Sequence, residues 1–480
     1  MYLQKSVKSA PATILKALTD LRISLFLLVY VIGIIYSSII PPFQSPDEFV
    51  HISRAYLFTK GKLILDSPEN YNSGGLIDNG LLEYIKIYAP LAKNPLKTLP
   101  RAEIEASKTI GWAHTYSFAD AAGAAYYFPA IYTPQTIGLL IGERLDMTID
   151  ESYRLARFLA FTFSLLIVLY AFKLFPPNWF VVSLLILPMS IFQIVSASID
   201  GLTTSLSILC VSIFIRGTDT RYSYPDWMAY LLGIVILIIS TCRIHLFPLT
   251  ALPLFIYFVR RRKIDLWSSV LAATFSVIWI IIAVKTTSDT RIDRAFTTSY
   301  VIGHYVKHPF DFFKVLVATA QEDRLTEFYK NSFIGILGWL DASFEMFFYR
   351  LSVIGLGVTA LLSLSFNDIK KDKLVRTALI VIATISILLI FFALLVTWTP
   401  HPASVVNGVQ GRYFIVPAIL LGYSLNGYQN VLMKNKSVIS ILWIILYGFL
   451  VCYLMPQVLI NRYYAVGDTY RTSTYTIKDK

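Results

Sequence analysis

The sequence turns abruptly from apolar to charged in the stretch ISLFLLVYVIGIIYSSII-PPFQSPDEFVH, residues 23–51. Its apolar part, residues 23–40, is long enough to cross the hydrocarbon core of a membrane, which takes about 20 residues. Asp47 and Glu48 follow at once, and ionisable groups held at the membrane boundary are costly unless they are paired or used. The stretch therefore predicts a first transmembrane helix with a functional site at its outer end.

Composition assigns the rest of the chain to the same class. The 480 residues are 56% hydrophobic and only 15% charged, with a mean hydropathy of +0.61. Soluble globular proteins carry about a quarter charged residues, so that class is excluded. The net charge of +12 comes from basic residues gathered between apolar runs, where they orient a membrane protein. We predict an all-α polytopic membrane protein with the lipid bilayer, and no nucleic acid, as a partner.

Apolar runs of this kind recur along the chain and predict about eleven transmembrane helices. They lie at residues 23–40, 155–172, 179–197, 200–215, 227–242, 246–259, 266–284, 345–366, 376–397, 412–427 and 438–455. With the basic N-terminus in the cytoplasm, the strongest basic clusters, at 260–263 and 370–373, both fall on the inner side.

Long polar segments are expected on the outer side only. The predicted order is a cytoplasmic N-terminus at 1–22, the first transmembrane helix at 23–40, an extracytoplasmic catalytic loop at 41–153, a transmembrane bundle at 154–284, a second extracytoplasmic loop at 285–344, C-terminal transmembrane helices at 345–455 and an extracytoplasmic tail at 456–480. A loop of more than about a hundred residues normally carries function and its own helices, and residues 101–109 look amphipathic.

The segment Ser45-Pro46-Asp47-Glu48 predicts a helix start with Ser45 at the N-cap and Glu48 completing a capping box. The Asp47 side chain then has no role in capping the helix, and the positive helix end favours its ionised form. Asp47, His51 and Arg54 lie at i, i+4 and i+7, on one helix face. Two structural alternatives stay open: Glu48 only closes the cap, and Asp47 only pairs with Arg54.

Several elements along the chain resemble one known family. They are Pro46-Asp47-Glu48-x-x-His51-x-x-Arg54-Ala55-Tyr56, Tyr132-x-Pro134 with Gly142, Arg154 to Arg157, Ser196 to Gly201, Gly338 to Asp341 and Gly408 to Phe414. In this order they are similar to a family of predicted membrane proteins placed in the GT-C glycosyltransferase superfamily. The first and last elements are the specific ones. The resemblance implies a GT-C fold with a large first extracytoplasmic loop.

The resemblance also implies a reaction. GT-C enzymes use a sugar carried on a membrane polyprenyl phosphate and place a catalytic carboxylate in the first outer loop. By this similarity Asp47, with Glu48 beside it, would be catalytic: Asp47 would deprotonate the acceptor hydroxyl, which attacks the anomeric carbon with inversion. A base of this kind must be ionised, positioned and shielded from bulk water. No Asp-x-Asp pair occurs here, so no cofactor is assigned and a divalent metal stays an open possibility.

A departing lipid phosphate needs fixed positive charge or hydrogen-bond donors nearby. Arg412, after a glycine-rich segment, is the first choice for this role, and its alternative is an arginine that reaches to the membrane interface. Arg243 and His245 are the second choice. Asp200 would bind sugar hydroxyls or cap its helix, and Asp341 next to Trp339 suits sugar binding. The full set of predicted substrate-binding residues is His51, Arg54, Asp200, Arg243, His245, Asp341, Gln410, Arg412 and Tyr413.

The leading functional prediction is a hexosyltransferase of the bacterial inner membrane, working on the periplasmic face. It would move a sugar such as glucose from undecaprenyl phosphate to a lipid-linked or surface glycan such as O-antigen. By similarity to serotype-converting systems, a polyprenyl-sugar synthase and a flippase would be companions. A transporter or flippase, and a polymerase or ligase of lipid-linked oligosaccharide, remain as alternatives.

Overall fold

The computed structural model describes residues 21–291, 295–364, 372–425 and 437–464. Most of the predicted cytoplasmic N-terminus and of the outer tail lies beyond these ranges. The helices up to residue 174 are α1 (Leu21–Ile39), α2 (Glu48–Thr59), α3 (Asn79–Lys93), α4 (Arg101–Ser107), α5 (Ala122–Ala125), α6 (Thr133–Arg144) and α7 (Ile149–Leu174). The predicted amphipathic helix at 101–109 is thus confirmed as a helix.

The remaining helices overlap the predicted apolar runs, except for three helices within residues 298–334, which lie in the predicted second outer loop. They are α8 (Trp179–Leu185), α9 (Pro188–Ile194), α10 (Asp200–Thr218), α11 (Asp226–Cys242), α12 (Leu252–Arg260), α13 (Lys263–Thr286), α14 (Thr298–Lys307), α15 (Pro309–Gln321), α16 (Asp323–Ile334), α17 (Met346–Ser363), α18 (Lys373–Thr397), α19 (Ile415–Ser424) and α20 (Ser437–Tyr463). Short 3-10 helices precede α6, α12 and α19, at Pro129–Tyr132, Ile244–Ala251 and Gly411–Phe414.

Six helices of the described residues are long and apolar enough to cross a membrane: α7, α10, α13, α17, α18 and α20. Shorter apolar helices occur at Leu27–Ile39, Asp226–Cys242 and Ile244–Arg260. The run at 179–197 is not one continuous helix, because it is divided into α8 and α9 just before Pro188. The fold is therefore that of a helical, multi-pass membrane protein, and the count of eleven spans stays a prediction.

The predicted first outer loop, residues 41–153, contains a two-stranded antiparallel sheet. Strand β1 (Gly74–Asp78) pairs with β2 (Tyr116–Asp120), with Gly74 opposite Asp120. Asp78 ends β1 and caps α3 by accepting a 2.8 Å hydrogen bond from the Gly80 N–H. Its other oxygen accepts from the His114 N–H at 2.7 Å. The sheet thereby brings the two ends of segment 79–115 together and places Asp120 at a fixed position.

The last helix, α20, is attached to that same loop through Arg462. Its guanidinium donates hydrogen bonds of 2.8 Å to the carbonyl oxygens of Leu91 and Lys97. Its Nε atom donates to Asp341 Oδ2 at 2.7 Å, and both side chains of this ion pair are buried. A buried arginine with several acceptors joins elements that are distant in sequence.

Helix α2 begins later than the capping pattern indicates. Its N-cap is Asp47, whose backbone is left-handed (φ 64°) and whose side chain makes no capping bond. Glu48 Oε2 does accept from the Ser45 N–H at 3.1 Å, but Ser45 Oγ has no partner among the described residues. The predicted N-cap at Ser45 is therefore wrong, and only half of the capping box forms.

Candidate functional site

Four charged side chains from four separate parts of the chain meet at one end of the helices. Asp47 precedes α2, Asp200 begins α10, Arg243 follows the last residue of α11, and Arg412 lies in the 3-10 helix before α19. Helix ends carry unpaired backbone groups and accept polar side chains readily. The sequence predicted a functional role for each of these four residues, and the structure brings them together.

These residues form a continuous series of ion pairs, which we call the Asp–Arg chain. Arg412 Nη2 donates to Asp47 Oδ2 at 3.1 Å, and Arg412 Nη1 donates to Asp200 Oδ2 at 3.2 Å. The other Asp200 oxygen pairs with Arg243. The side chains of Arg412, Asp200 and Arg243 are 3%, 10% and 11% exposed, whereas that of Asp47 is 44% exposed. Asp47 is thus the member of the Asp–Arg chain that a ligand can reach.

Two tyrosine rings pack against the arginines of the Asp–Arg chain. The Arg412 guanidinium lies 5.3 Å from the centre of the Tyr413 ring, and that of Arg243 lies 5.4 Å from the centre of the Tyr127 ring. Arg243 Nη1 also donates to the Tyr127 hydroxyl at 3.2 Å. Arginine over an aromatic face is a favourable contact when it is shielded from water. Tyr127 and the predicted site residue Tyr413 therefore hold Arg243 and Arg412 in place.

His51 is buried beside this cluster and acts as a neutral polar group. Its ring stacks on Tyr127 with 6.0 Å between centres, and its Nδ1 atom shares a 2.8 Å hydrogen bond with the Tyr132 hydroxyl. Burial lowers the pKa of His51 to about 4, although the neighbouring Asp47 opposes the shift. His51 is therefore uncharged at neutral pH and orients aromatic residues next to Asp47.

Asp47 lies on the wall of a cleft with a volume of about 410 Å³. Two tryptophans line it, Trp339 and Trp398, and Phe49 stacks on Trp339 with 5.5 Å between ring centres. The complete lining is Pro46, Asp47, Phe49, Val50, Asp120, Gly123, Arg291, Trp339, Leu340, Trp398 and Gln410. Mostly apolar walls with a few charged groups are typical of small-molecule sites.

Glu48 points away from the cleft, although it is the neighbour of Asp47 in sequence. Its carboxylate is fully buried and is paired with Arg157. It also accepts hydrogen bonds from the Tyr153 hydroxyl at 3.0 Å and from the Ala197 N–H at 2.6 Å. A carboxylate with this many donors and no route to the cleft has a structural role. The catalytic role expected for Glu48 is corrected on this ground.

Two further site predictions are corrected because the side chains are used elsewhere. Arg54 is buried and donates to the carbonyl oxygens of Lys62 and Leu63, at 2.8 and 2.6 Å. The alternative ion pair of Asp47 with Arg54 does not form, because Arg412 occupies that position. Asp341 is buried against Arg462, and burial raises its pKa while Arg462 opposes the shift. Neither Arg54 nor Asp341 lines the cleft.

The remaining predicted residues lie close to the site. Gln410 lines the cleft, and its Oε1 atom has no hydrogen-bond partner among the described residues. His245 lies next to Tyr413, with 6.4 Å between the two ring centres. Gln410 thus borders the cleft while its Oε1 atom is buried, whereas His245 lies next to the ring of Tyr413.

The sequence reasoning missed Asp120, Arg291 and Trp398, which complete the cleft. Asp120 ends β2, where its carboxylate accepts from the Ala122 N–H at 2.7 Å. Arg291 follows Asp289 in the predicted second outer loop, a spacing that is ordinary on any protein surface. The only available signal was position: Asp120 and Arg291 lie in segments predicted to face outward, and Trp398 directly follows the apolar run at 376–397.

The described residues offer no group of three or more His, Cys, Asp or Glu side chains placed to hold a metal ion. Asp47 and Asp120 are the carboxylates of the cleft wall, and Asp47 already has an arginine partner. A protein site for a divalent cation usually needs several oxygen ligands.

Comparison with known proteins identifies one family. Residues 29–421 match the model of a family described as Predicted membrane protein (DUF2142), a range that includes Asp47, Asp200, Arg243 and Arg412. No curated protein and no solved structure matches the chain. With most of its length covered by the family model and six helices suited to a membrane, the chain belongs to the DUF2142 family of predicted membrane proteins.

Proposed function

We propose that this protein is a GT-C type glycosyltransferase of the bacterial inner membrane. It would transfer a hexose from undecaprenyl phosphate to a lipid-linked or surface polysaccharide such as O-antigen, on the periplasmic face. One observation carries the proposal: a half-exposed carboxylate, Asp47, is held by a buried arginine on the wall of an aromatic cleft. A general base needs this combination of access and fixed orientation.

The geometry of Asp47 suits proton abstraction. Arg412 engages Oδ2, and Oδ1 makes no hydrogen bond to any residue that the structure describes. In the proposed reaction Oδ1 takes the proton of the acceptor hydroxyl while the hydroxyl oxygen bonds to the anomeric carbon. The bond from that carbon to the phosphate oxygen breaks, and its electron pair leaves with the lipid phosphate. Attack opposite the leaving group inverts the configuration.

Arg412 fits the role of positioning Asp47 better than the role of binding phosphate. Its guanidinium is 3% exposed and contacts two carboxylates, Asp47 and Asp200. An anion in the cleft would meet a positive charge that is already neutralised and buried. The first choice for the phosphate contact, Arg412, is therefore revised to a residue that holds the base through a charge-assisted hydrogen bond.

The cleft is suited to a sugar in size and lining. Its volume of about 410 Å³ falls within the range of about 300–1,000 Å³ typical of ligand pockets. Trp339 and Trp398 offer flat apolar faces, while the Asp120 carboxylate offers acceptor oxygens for hydroxyl groups. A pyranose presents an apolar face and a polar edge, so both types of wall have a partner.

The test is sugar transfer by the purified protein. Synthetic undecaprenyl-phosphate hexose and extracted glycan acceptor would be supplied to the wild type and to Asp47→Asn side by side. Transfer by the wild type alone is the expected result. Full activity of Asp47→Asn would reject the assignment of the base, and inactivity of the wild type with a panel of donor sugars would reject the transferase.

A transporter of lipid-linked glycan is the second candidate, because two apolar segments are broken. Helices α8 and α9 are separated at Ile186 and Leu187, and a 3-10 segment with Pro248 leads into α12. Broken helices occur at the binding sites of many transporters. Proteoliposomes distinguish the two functions: a transporter moves a labelled lipid-linked glycan across the bilayer without changing it, whereas a transferase makes a new product.

A further inference from the structure

Arg291 is held rigidly at the edge of the cleft. Its Nε and Nη2 atoms donate to the two oxygens of Asp289, at 2.8 and 2.7 Å. Its guanidinium lies 5.5 Å from the centre of the Trp398 ring, which also lines the cleft. The side chain is 32% exposed, so it is fixed from one side and open on the other. A paired, stacked arginine is pre-organised to bind an oxyanion.

The third guanidinium nitrogen, Nη1, remains available. It makes no hydrogen bond to any residue within the described ranges, and it lies beside Gly123. A Cβ atom on residue 123 would be 2.7 Å from Nη1, which is too close for an ordinary contact. Glycine at this position therefore leaves the space that the Arg291 side chain occupies.

Among the described residues that line the cleft, Arg291 is the arginine, and none is a lysine. Arg412 and Arg243 are nearly inaccessible, with side chains 3% and 11% exposed, whereas Arg291 is 32% exposed, although it too is paired with a carboxylate, Asp289. The lining otherwise contains two carboxylates, Asp47 and Asp120, which repel an anion. A ligand with a negative group therefore has one favourable position in this cleft, at Arg291.

We propose that Arg291 binds the phosphate of the polyprenyl-linked donor, an inference that rests on the function proposed above. An inverting transfer needs its base and its leaving group on opposite faces of the anomeric carbon. Asp47 and Arg291 supply one acidic and one basic group within a single cleft. As the carbon–oxygen bond breaks, the Nη1–H group donates to the phosphate oxygen that receives the electron pair, while the proton of the acceptor goes to Asp47.

Binding of short lipid phosphates tests this assignment without requiring turnover. Calorimetry on the full-length protein would compare farnesyl phosphate, inorganic phosphate and uncharged farnesol. We expect Arg291→Gln to weaken the binding of farnesyl phosphate roughly tenfold to hundredfold, which corresponds to the loss of one charge-assisted hydrogen bond. The matched control is Arg324→Gln, an exposed arginine on α16. Equal farnesyl phosphate affinity in Arg291→Gln and wild type would overturn the inference.

A second variant keeps the test informative if Arg291→Gln does not fold. Gly123→Ala retains the arginine but displaces its Nη1 atom, so it should also weaken the binding of farnesyl phosphate. Gly111→Ala is its control, because no described atom lies within 4 Å of a Cβ at that position. Wild-type affinity in Gly123→Ala would count against the proposed geometry.

The ligands and the transfer assay separate the possible failures. Inorganic phosphate binding as tightly as farnesyl phosphate would indicate a site for free phosphate and overturn the lipid assignment, as would equal binding of farnesol. Sugar transfer with an unchanged KM for donor in Arg291→Gln would reject this inference and leave the transferase standing. Arg291-dependent binding of farnesyl phosphate without transfer by the wild type would support the phosphate site and reject the transferase.

Discussion

Arg412 lies 365 positions after Asp47 in the sequence, yet its Nη2 atom donates a 3.1 Å hydrogen bond to Asp47 Oδ2. Asp200 Oδ2, which accepts a 3.2 Å hydrogen bond from Arg412 Nη1, belongs to a third region of the chain. The exposed carboxylate is therefore oriented by helices that lie far from it in sequence. Its function depends on how well these helix ends are packed, as well as on its own chemistry.

Replacing Asp47 by Asn should lower the rate of sugar transfer by about 10²–10⁴, the usual contribution of a general base. Asn tolerates the left-handed backbone of residue 47 (φ 64°), so expression and melting temperature should not change. The rate would be measured with purified protein, with Asp66→Asn, on an exposed surface, as the control. A rate in Asp47→Asn equal to that of the control contradicts the prediction.

Replacing Glu48 by Gln should destabilise the protein by about 3–5 kcal/mol, because Arg157 would keep a buried charge without its partner. We expect a lower melting temperature in detergent, in contrast to Asp47→Asn. Glu105→Gln, which changes an exposed ion pair, should melt as the wild type does. A stable Glu48→Gln protein that has lost only its activity would instead return Glu48 to the catalytic group.

His51 should make stability fall in acid. Burial lowers the pKa of His51 to about 4, below the value of about 6.5 of an unfolded histidine, so the unfolded chain binds the proton first. The stability that neutral His51 contributes is complete above about pH 6.5 and is lost as pH falls towards 4. Melting temperatures measured from pH 7 to pH 4 should therefore decline more steeply for wild type than for His51→Gln. His308→Gln, on an exposed residue, should keep the wild-type slope.

Replacing Gly411 by Ala should displace the 3-10 helix that carries Arg412. A Cβ at residue 411 would lie 2.6 Å from the Phe333 Cα in α16, and backbone at this distance cannot yield locally. We expect a reduced transfer rate and a lower melting temperature. Gly357→Ala in α17 is the control, since no described atom lies within 4 Å of its Cβ. Equal behaviour of the two variants would show that the close contact at Gly411 is unimportant.

The membrane helices were predictable because each depends on a local property, the length of an apolar run. The positions of Asp47, Asp200, Arg243 and Arg412 near the expected outer ends of such runs could also be read from the sequence, and their role in a site stays a prediction. Their mutual pairing was not predictable, because it depends on how the helices pack. The division of 179–197 into two helices shows the same limit, as Pro188 alone does not reveal whether a helix kinks or ends.

The fate of Glu48 shows why the helix start was misplaced. The capping pattern assigns this carboxylate to its own backbone, and it does bind the Ser45 N–H. The same carboxylate accepts hydrogen bonds from Arg157 and from the Ala197 N–H, both distant in sequence, and these bonds keep it buried. Asp47 then turns outward in a left-handed conformation. Tertiary contacts decided the roles of two adjacent and chemically similar residues.

The bonds from Arg462 to the carbonyl oxygens of Leu91 and Lys97 have a consequence for biosynthesis. Arg462 comes 365 positions after Lys97, so ribosomal synthesis makes segment 91–97 long before the helix that binds it. Segment 91–97 must therefore remain without its Arg462 contacts until α20 has been made. A truncated chain that lacks α20 would leave the carbonyl oxygens of Leu91 and Lys97 without these donors.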